Sequence, residues 1–214
     1  MIDNYRHKGL RKKLVEELAD KGIKDESVLQ AILEIPRHYF LDAVFTEQAY
    51  TNMAFQIGAG QTISHPYTVA FQTELLKLKK GDKVLEIGTG SGFQTAVLCE
   101  IGAKVFSIER QKELFLKTKE LIPKLKYSPK LKYGDGYKGW PTFAPFDKII
   151  ITCGAPFIPE DLVDQLKNGG RMVIPLGEGK VQEMVLLVKN ENGELSQKSY
   201  GKFSFVPMLK ETAK

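Results

Sequence analysis

The stretch VLEIGTGSGF, residues 84–93, decides which fold this chain can adopt. Its first half reads as a short buried strand, and a helical pattern begins at Phe93. Between the two, Gly88, Gly90 and Gly92 allow a sharp turn and let the backbone approach a ligand without a Cβ atom in the way. A strand, a glycine turn and a helix in this order place the turn at the carboxyl edge of an open α/β sheet, where ligands bind.

The same alternation extends along most of the chain. From about residue 66, helical segments alternate with five short strands, KVLEI, KVFSIE, LKYGDG, DKIIIT and RMVIPLG. One helix, QKELFLKTKELI, is expected to end before Pro123, and another, PEDLVDQLK, before the pair Gly169-Gly170. Short apolar strands that alternate with helices form a parallel sheet covered on both faces. We therefore predict an α/β fold with a doubly wound, mostly parallel, Rossmann-like sheet.

The two ends of the chain differ from this core. Residues 1–57 read as a helical extension, in which Asp25 caps a helix that stops at Pro36. Residues 58–190 form the expected cofactor-binding α/β core, and residues 191–214 a C-terminal strand with a substrate segment. An Asn-Gly pair within VQEMVLLVKNENGELSQKSYGKFSFVP predicts an antiparallel hairpin at the sheet edge. The whole chain is expected to form one domain.

The ligand expected at the glycine turn is S-adenosylmethionine. The spacing GxGxG departs from the dinucleotide fingerprint, and no lysine follows the glycines as it does in a phosphate loop. Glu86, at the end of the strand, would repel a pyrophosphate but suits an amino-acid ammonium group. Glu109 ends the next strand, about 20 residues beyond the turn, where an acid accepts hydrogen bonds from ribose hydroxyls. Asp135, followed by Gly136, ends the third strand and is expected to accept a hydrogen bond from the adenine amino group.

Composition narrows the class of protein. Of the 214 residues, 43% are hydrophobic and 27% charged, which is typical of a globular chain and excludes a disordered one. We see neither a membrane-spanning run nor a secretory signal. Cys99 and Cys153 form no CxxC pair and fit reduced thiols, so we expect a cytoplasmic location and no metal site. The net charge of +5 is spread over scattered lysines, which favours a solvated surface over a functional basic face.

The methyl acceptor that the residues favour is a carboxylate. Methylation of a base nitrogen typically uses a [DN]PP[YFW] turn after the fourth strand, where this chain has TCGAP. Carbon-5 of a pyrimidine needs a nucleophilic cysteine, but Cys153 lacks the usual proline and Cys99 lies in a predicted helix. A phenol or catechol needs a base or a metal, and the sequence has no His/Asp cluster there. A carboxylate is already ionised at neutral pH and needs only to be positioned.

Longer motifs resemble one family. Besides the glycine stretch, the chain contains IPRHYF (35–40), GAGQTISHPYTVA (58–70), GDGYKGW (134–140), QLKNGGRMVIPLG (165–177) and FVP (205–207). These segments resemble the protein-L-isoaspartate (D-aspartate) O-methyltransferases of bacterial type. The resemblance implies a class I methyltransferase that uses S-adenosyl-L-methionine and releases S-adenosyl-L-homocysteine. It implies that the acceptor is the free α-carboxylate of L-isoaspartyl residues, or that of D-aspartyl residues, in damaged proteins, and that the methyl ester reverts to succinimide.

The resemblance also implies which residues form the site. The active-site serine falls on Ser64, and the substrate region includes Ser64, His65 and Val206. The cofactor contacts fall on Thr62, Ile63, Glu86, Gly88, Thr89, Gly90, Glu109, Asp135 and Gly136. Because the substrate carboxylate is the nucleophile, Ser64 is expected to donate a hydrogen bond that orients it. His65 stands where bacterial relatives commonly have glutamine, and it is expected to bear on substrate preference.

Other interpretations stay open at this point. The partners implied are isoaspartyl-containing proteins and peptides, without nucleic acid or membrane, and the protein is expected to be a monomer. The basic charge alternatively fits a methyltransferase that acts on RNA or a small metabolite. A third possibility is a non-catalytic module that only binds the cofactor. Ser64, in turn, could simply cap the helix that begins at Pro66.

Overall fold

The computed structural model describes residues 2–213, and within them the chain forms six α-helices and nine β-strands. The helices are α1 Tyr5–Asp20, α2 Glu26–Glu34, α3 Pro66–Leu76, α4 Phe93–Glu100, α5 Lys112–Lys124 and α6 Glu160–Asp164. The strands are β1 Phe55–Gly58, β2 Gln61–Ile63, β3 Lys83–Ile87, β4 Lys104–Glu109, β5 Lys130–Tyr133, β6 Phe146–Ile151, β7 Leu166–Leu176, β8 Gln182–Lys189 and β9 Leu195–Phe203. None of the described helices combines the length and apolar character needed to cross a membrane.

Seven of the strands form one sheet in the order β5-β4-β3-β6-β7-β8-β9. The pairs β3–β4, β4–β5, β3–β6 and β6–β7 are parallel, whereas β7–β8 and β8–β9 are antiparallel. The chain leaves β3 towards β4 on one side and later places β6 on the other side, so the strand order reverses at the carboxyl end of β3. The predicted doubly wound, mostly parallel sheet is confirmed, and the glycine turn lies at its ligand-binding edge.

Apolar side chains cover both faces of this sheet. On β3, Leu85 and Ile87 belong to one buried core, whereas Val84 packs into another with Leu76 of α3 and Leu98 of α4. This division follows from the pleat, which points successive side chains to opposite faces. A further core joins α1 and α2 to α4, α5 and the β1–β2 pair. The N-terminal helices therefore pack directly against the elements that carry the glycine turn.

Two helices end elsewhere than the sequence predicts. α5 continues through Pro123 and ends at Lys124. A proline this close to the end of a helix removes one hydrogen bond from its last turn, and the helix need not stop before it. α6 ends at Asp164, and β7 begins at Leu166, inside the predicted helix. Leu162 and Leu166 are both buried. Their separation of four residues fits one face of a longer helix, but a short helix followed by a strand buries both side chains as well.

The chain contains two antiparallel hairpins, one at the edge of the main sheet and one apart from it. The predicted C-terminal hairpin is confirmed, because β8 and β9 pair antiparallel across a turn that contains Asn192 and Gly193. The β1–β2 hairpin was not predicted, since its strands are only four and three residues long. Its tip, residues 58–60, has φ values of 95°, 50° and 67°. The hairpin carries Thr62 and Ile63 towards the glycine turn.

After β9, residues 204–213 cross the carboxyl edge of the sheet, and we call them the C-terminal segment. Backbone and side-chain hydrogen bonds join this segment to residues that follow β4, β5 and β6. Among them are Gly154 N to Val206 O (2.8 Å), Met208 N to Gly154 O (2.7 Å), Ala213 N to Arg110 O (2.8 Å) and Glu211 N to Asp135 Oδ2 (3.0 Å). The segment therefore forms a wall above the glycine turn.

Candidate active site

The glycine turn connects β3 to α4 in a conformation that requires glycine. Gly88, Gly90 and Gly92 have φ values of 98°, 53° and 87°, in the left-handed region. A Cβ atom on Gly88 would collide with the side chain of Thr152, and one on Gly92 would collide with Thr118 of α5. The glycines therefore provide both the turn and the close approach of neighbouring elements.

An open cavity lies between this turn, the ends of β3 and β4 and the C-terminal segment. It encloses about 590 Å³, counted to its open mouth. Residues predicted to form the site line it: Thr62, Gly88, Gly90, Glu109, Gly136 and Val206. Ile87, Ile108 and Met208 add apolar surface. We call this space the cofactor cavity, since it combines apolar walls with one acidic group, as a nucleoside site requires.

Glu109 is the acidic residue of the cofactor cavity. Its Oε2 accepts a hydrogen bond from Gly90 N at 2.8 Å, and its Oε1 accepts one from Gln111 N at 2.7 Å. Burial raises the pKa of Glu109, and these backbone donors oppose that increase. Each carboxylate oxygen keeps a second lone pair. The geometry therefore leaves Glu109 able to accept from ribose hydroxyls.

Glu86 lies behind the glycine turn and does not line the cofactor cavity. Its side chain is fully buried and turned towards α4, where Oε2 accepts from Thr95 Oγ1 at 2.5 Å. Its Oε1 has no hydrogen-bond partner within residues 2–213. Burial raises the pKa of Glu86 to about 8. The predicted direct contact with an ammonium group therefore has no support in this geometry, because the pleat of β3 points Glu86 away from the cavity.

Asp135 is also engaged outside the cofactor cavity. Its Oδ1 accepts from Tyr137 N at 2.9 Å, and its Oδ2 accepts from Glu211 N at 3.0 Å. The carboxylate thus caps a short 3-10 turn and fastens the C-terminal segment. Gly136 does line the cavity, and a Cβ atom there would collide with Ile87. Gly136 therefore lies at the cavity, as predicted. The Asp135 side chain lies outside it and binds backbone N–H groups, so the predicted adenine contact has no support in this geometry.

Two smaller cavities continue from the cofactor cavity. One lies beside α4 and is lined by the predicted residues Ile63, Ser64 and Thr89. The other, which we call the acceptor cavity, is lined by Ala54, Thr62, Ser64, His65, Thr68, Thr152, Ser204, Phe205 and Val206. Thr62 and Thr152 border all three spaces. A molecule in the acceptor cavity would therefore meet one in the cofactor cavity at these two threonines.

Hydroxyl groups dominate the polar lining of the acceptor cavity. Ser204 and Thr152 donate to backbone carbonyls at 2.8 and 2.7 Å. Within residues 2–213, the hydroxyls of Thr62, Ser64 and Thr68 have no hydrogen-bond partner, so they are free to donate to a ligand. No aspartate or glutamate of the described chain lines this cavity. The acceptor cavity therefore suits an anionic group.

Ser64 and His65 lead into α3. His65 is the N-cap residue, and within residues 2–213 neither its side chain nor that of Ser64 caps this helix; Asn52 Oδ1 instead accepts from Tyr67 N at 3.0 Å. The alternative that Ser64 only caps α3 is therefore wrong. The backbone carbonyl of Ser64 accepts from Arg37 Nη2 at 3.0 Å, which fixes the chain at this point. Burial lowers the pKa of His65, and the charge of Arg37 lowers it further, so the imidazole is neutral at pH 7.

Comparison with known proteins completes the description of the site. Residues 9–213 match the family model described as Protein-L-isoaspartate(D-aspartate) O-methyltransferase. The chain belongs to this family. It is 58% identical over 212 residues to a protein-L-isoaspartate O-methyltransferase of Christiangramia forsetii, covering 99% of both chains. A relative of the same name from Dictyoglomus thermophilum is 47% identical over 208 residues, covering 97% of this chain and 93% of the relative.

Solved structures agree with the family membership. One protein-L-isoaspartate O-methyltransferase superposes with a TM-score of 0.83 at 30% identity, covering 92% of this chain and 65% of that longer chain. Another, a protein-L-isoaspartate O-methyltransferase from Plasmodium falciparum in complex with S-adenosyl-L-homocysteine, superposes with a TM-score of 0.82 at 26% identity. It covers 94% of this chain and 99% of that one. The family fold thus extends over nearly the whole chain.

Some residues at or beside the site were not predicted from the sequence. Thr152 ends the predicted strand DKIIIT, and the carboxyl end of a parallel strand is a signal that could have identified it. Thr68 lies in the first turn of α3, four residues after Ser64, and the start of a helix next to a predicted site residue is a signal that could have identified it. Arg37 and Met208 reach the site only through tertiary packing. Their positions could not be derived from local pattern.

Proposed function

We propose that the chain transfers a methyl group from S-adenosyl-L-methionine to the free α-carboxylate of L-isoaspartyl residues in damaged proteins and peptides, and to the free carboxylate of D-aspartyl residues. The observation that carries this proposal is the junction of the cofactor and acceptor cavities at Thr62 and Thr152. Family membership and the relative with bound S-adenosyl-L-homocysteine support the same reaction and cofactor.

The described residues fit the cofactor, which supplies a methyl group attached to a positively charged sulfur. Gly88 and Gly136 line the cavity with bare backbone, because a Cβ atom there would collide with Thr152 or Ile87. Glu109 offers carboxylate oxygens for the ribose, and Ile108 and Met208 offer apolar surface. These residues would bind and orient the cofactor with its methyl group towards the acceptor cavity.

The acceptor needs no general base. A carboxylate is ionised at neutral pH, and its oxygen attacks the methyl carbon in line with the carbon–sulfur bond, whose electron pair remains on sulfur. Ser64 and Thr68 are free to hold the carboxylate, which fixes the direction of the attacking lone pair. Burial raises the pKa of the Cys153 thiol to about 12, so this neighbour of the site stays protonated and is no nucleophile.

The product fits a repair role. In the methyl ester of an isoaspartyl residue, the neighbouring backbone amide nitrogen attacks the ester carbonyl, and its proton leaves with the methoxide as methanol. The ring that closes is a succinimide. Hydrolysis of the succinimide then gives a fraction of normal aspartyl linkages, and repeated cycles convert the rest. The protein has only to make the ester, which agrees with a site that holds a carboxylate and moves no proton.

The test compares two peptides that differ only in one linkage. The protein is incubated with labelled S-adenosylmethionine and matched peptides that contain isoaspartate or aspartate. We expect base-labile labelling confined to the isoaspartyl peptide. Equal labelling of both peptides, or of neither, would overturn the proposal. Label that survives mild base, together with salt-dependent binding of RNA, would instead favour the alternative acceptor.

We further infer that the protein acts in the cytoplasm as a monomer, without a nucleic-acid or membrane partner. Cys99 and Cys153 are both free, which suits a reducing compartment. The lysines are scattered along the sequence, which suits a solvated surface. Light scattering coupled to size-exclusion chromatography tests the monomer, and a mass near twice 24.1 kDa would contradict it.

A further inference from the structure

Arg37 is a fully buried cation beside the acceptor cavity. Its side chain is 1% exposed. The guanidinium donates to three backbone carbonyls: Nη1 to Ala49 O at 2.6 Å, and Nη2 to Met53 O and Ser64 O at 3.0 Å each. It also lies over the rings of Phe55 and Phe93, at 5.6 and 5.5 Å from their centroids.

These neighbours are dipoles and aromatic rings rather than anions. Within residues 2–213, no carboxylate forms an ion pair with Arg37, and its Nε has no hydrogen-bond partner. Burial lowers the pKa of Arg37 to about 9, so the group is still charged at neutral pH. A buried charge is normally paired, because desolvation is costly. The missing counter-charge of Arg37 therefore calls for a ligand that supplies it.

The charge of Arg37 reaches the acceptor cavity through one layer of backbone. Ser64, whose carbonyl it binds, lines that cavity, and so does Ala54, the neighbour of Met53. The field of Arg37 also acts on His65, another lining residue. Among the described residues that line the cavity, no acidic side chain compensates this charge.

We propose that Arg37 is the positioning residue that makes the acceptor cavity select a carboxylate over a neutral group of the same shape. This inference rests on the proposed function. Arg37 fixes the backbone of Ser64 and provides a positive field behind the wall. Because it does not touch the cavity, it attracts the carboxylate without occupying the oxygen lone pair that must attack the methyl group.

The test measures binding of two peptides of equal shape, one with an isoaspartyl carboxylate and one with the isoasparaginyl carboxamide. Calorimetry is performed with protein saturated with S-adenosylhomocysteine. We expect the wild type to prefer the carboxylate by about tenfold or more. Arg37→Lys should keep much of this preference, whereas Arg37→Met should bring the two affinities to within about threefold of each other, with S-adenosylhomocysteine affinity unchanged. A preference that survives in Arg37→Met overturns the inference.

A second measurement covers the case in which Arg37→Met does not fold. The carboxylate of the isoaspartyl peptide is labelled with ¹³C and titrated by NMR in the complex with the unmodified protein and S-adenosylhomocysteine. We expect its pKa to fall below that of the free peptide, and to stay low in Ser64→Ala, which removes a donor but keeps the charge. A pKa that is unchanged or higher on binding overturns the inference.

The same samples separate the two proposals. If the wild type methylates the isoaspartyl peptide, but the preference survives in Arg37→Met or the carboxylate pKa does not fall on binding, only the inference about Arg37 fails. If the wild type neither methylates nor binds the isoaspartyl peptide, the proposed function fails, and the inference about Arg37 fails with it.

Discussion

Ser64 and Thr68 present hydroxyl groups to one cavity from neighbouring positions. Ser64 precedes α3, and Thr68 lies in its first turn, with a side chain that is only 8% exposed. Pro66 has no N–H and Tyr67 N donates to Asn52 Oδ1, so the hydroxyl groups supply the directed donors beside the positive end of the helix dipole. A substrate carboxylate is therefore expected to contact both residues.

Replacing Ser64 by alanine removes one of these donors. A hydrogen bond to a charged group contributes enough that we expect kcat/KM for an isoaspartyl peptide to fall roughly tenfold or more. Ser64 does not line the cofactor cavity, so affinity for S-adenosylhomocysteine should stay within about twofold. Steady-state kinetics and calorimetry measure the two quantities. Unchanged kinetics would remove the role assigned to Ser64.

Two substitutions at Thr68 separate its hydroxyl from its shape. Thr68→Val keeps the volume but removes the donor, and we expect KM for the isoaspartyl peptide to rise about tenfold. Thr68→Ser keeps the donor and should remain within roughly threefold of the wild type. Thermal unfolding of both variants controls for stability. If Thr68→Ser loses as much as Thr68→Val, then packing rather than hydrogen bonding explains the effect.

The buried Glu86 carboxyl makes the free energy of unfolding depend on pH. Its pKa rises from 4.5 to about 8 on folding, so the folded protein without ligand binds a proton that the unfolded chain releases at lower pH. The stability that this proton contributes is complete below about pH 4.5 and is lost as the pH rises through about 8. Glu86→Gln does not titrate. We expect it to match the wild type near pH 5 and to exceed its free energy of unfolding near pH 9.

Urea unfolding of both proteins without ligand at the two pH values checks this prediction. The difference between variant and wild type isolates Glu86 from the other titrating groups, because those are common to both proteins. A difference that is the same at both pH values would show that Glu86 does not carry a raised pKa.

At the scale of elements, local pattern predicted those segments whose periodicity agrees with their packing. The strands β3, β4 and β6 and the helix α4 are examples, since their apolar residues mark both type and approximate limits. Local pattern failed where pairing with another strand determines the secondary structure. The segment from Leu166 pairs with β6 and so joins the sheet, although its spacing also fits a helix. The short β1–β2 hairpin forms because the two strands pair with each other, which neither strand's own sequence shows.

The C-terminal segment gives the prediction that belongs to this scale. A chain that ends at Leu209 lacks the backbone groups of Glu211 and Ala213, which join the segment to Asp135 and Arg110. The wall of the cofactor cavity then loses these two hydrogen bonds and also those that Lys112 N, Tyr133 Oη and the Arg110 side chain donate to carbonyls of residues 210–213. We therefore expect affinity for S-adenosylhomocysteine to fall roughly tenfold or more. Calorimetry measures the affinity.

Lys210→Ala is the matched control for this truncation. It changes a side chain in the same segment but leaves every backbone hydrogen bond in place, so its affinity should stay within about twofold of the wild type. Equal affinity in the truncated protein and in this control would show that these hydrogen bonds do not hold the cavity wall.

At the scale of the whole molecule, the site is assembled from distant parts of the chain. The cofactor cavity draws on the β1–β2 hairpin, the glycine turn, the ends of β4 and β5 and the C-terminal segment. Motifs identified the members that lie in short signatures, such as Gly88, Gly90 and Glu109. They misplaced Glu86 and Asp135, because the sequence shows neither the direction of a side chain in the pleat nor the segment that binds it. The role proposed for Arg37 follows only from its contacts in the folded chain.

This assembly couples cofactor binding to global stability. A ligand that binds only the folded protein stabilises it by about 2.7 kcal/mol when its concentration is 100 times the dissociation constant. We expect S-adenosylhomocysteine to raise the free energy of unfolding by that amount, measured by urea titration with and without ligand. Adenine alone, which lacks the ribose that Glu109 would hold, is the control and should have a smaller effect at equal concentration. A shift of zero with S-adenosylhomocysteine would mean that the native protein does not form the cavity.

The position of the C-terminal segment has a consequence for synthesis. The segment follows each of the described strands along the chain, so the nascent chain can form its glycine turn and its sheet before residues 204–213 leave the ribosome. Until then the cofactor cavity lacks that wall. We therefore expect nascent chains that are stalled with only residues up to Phe203 outside the ribosome to fold yet bind the cofactor weakly, and to bind it firmly once residues 204–213 have emerged.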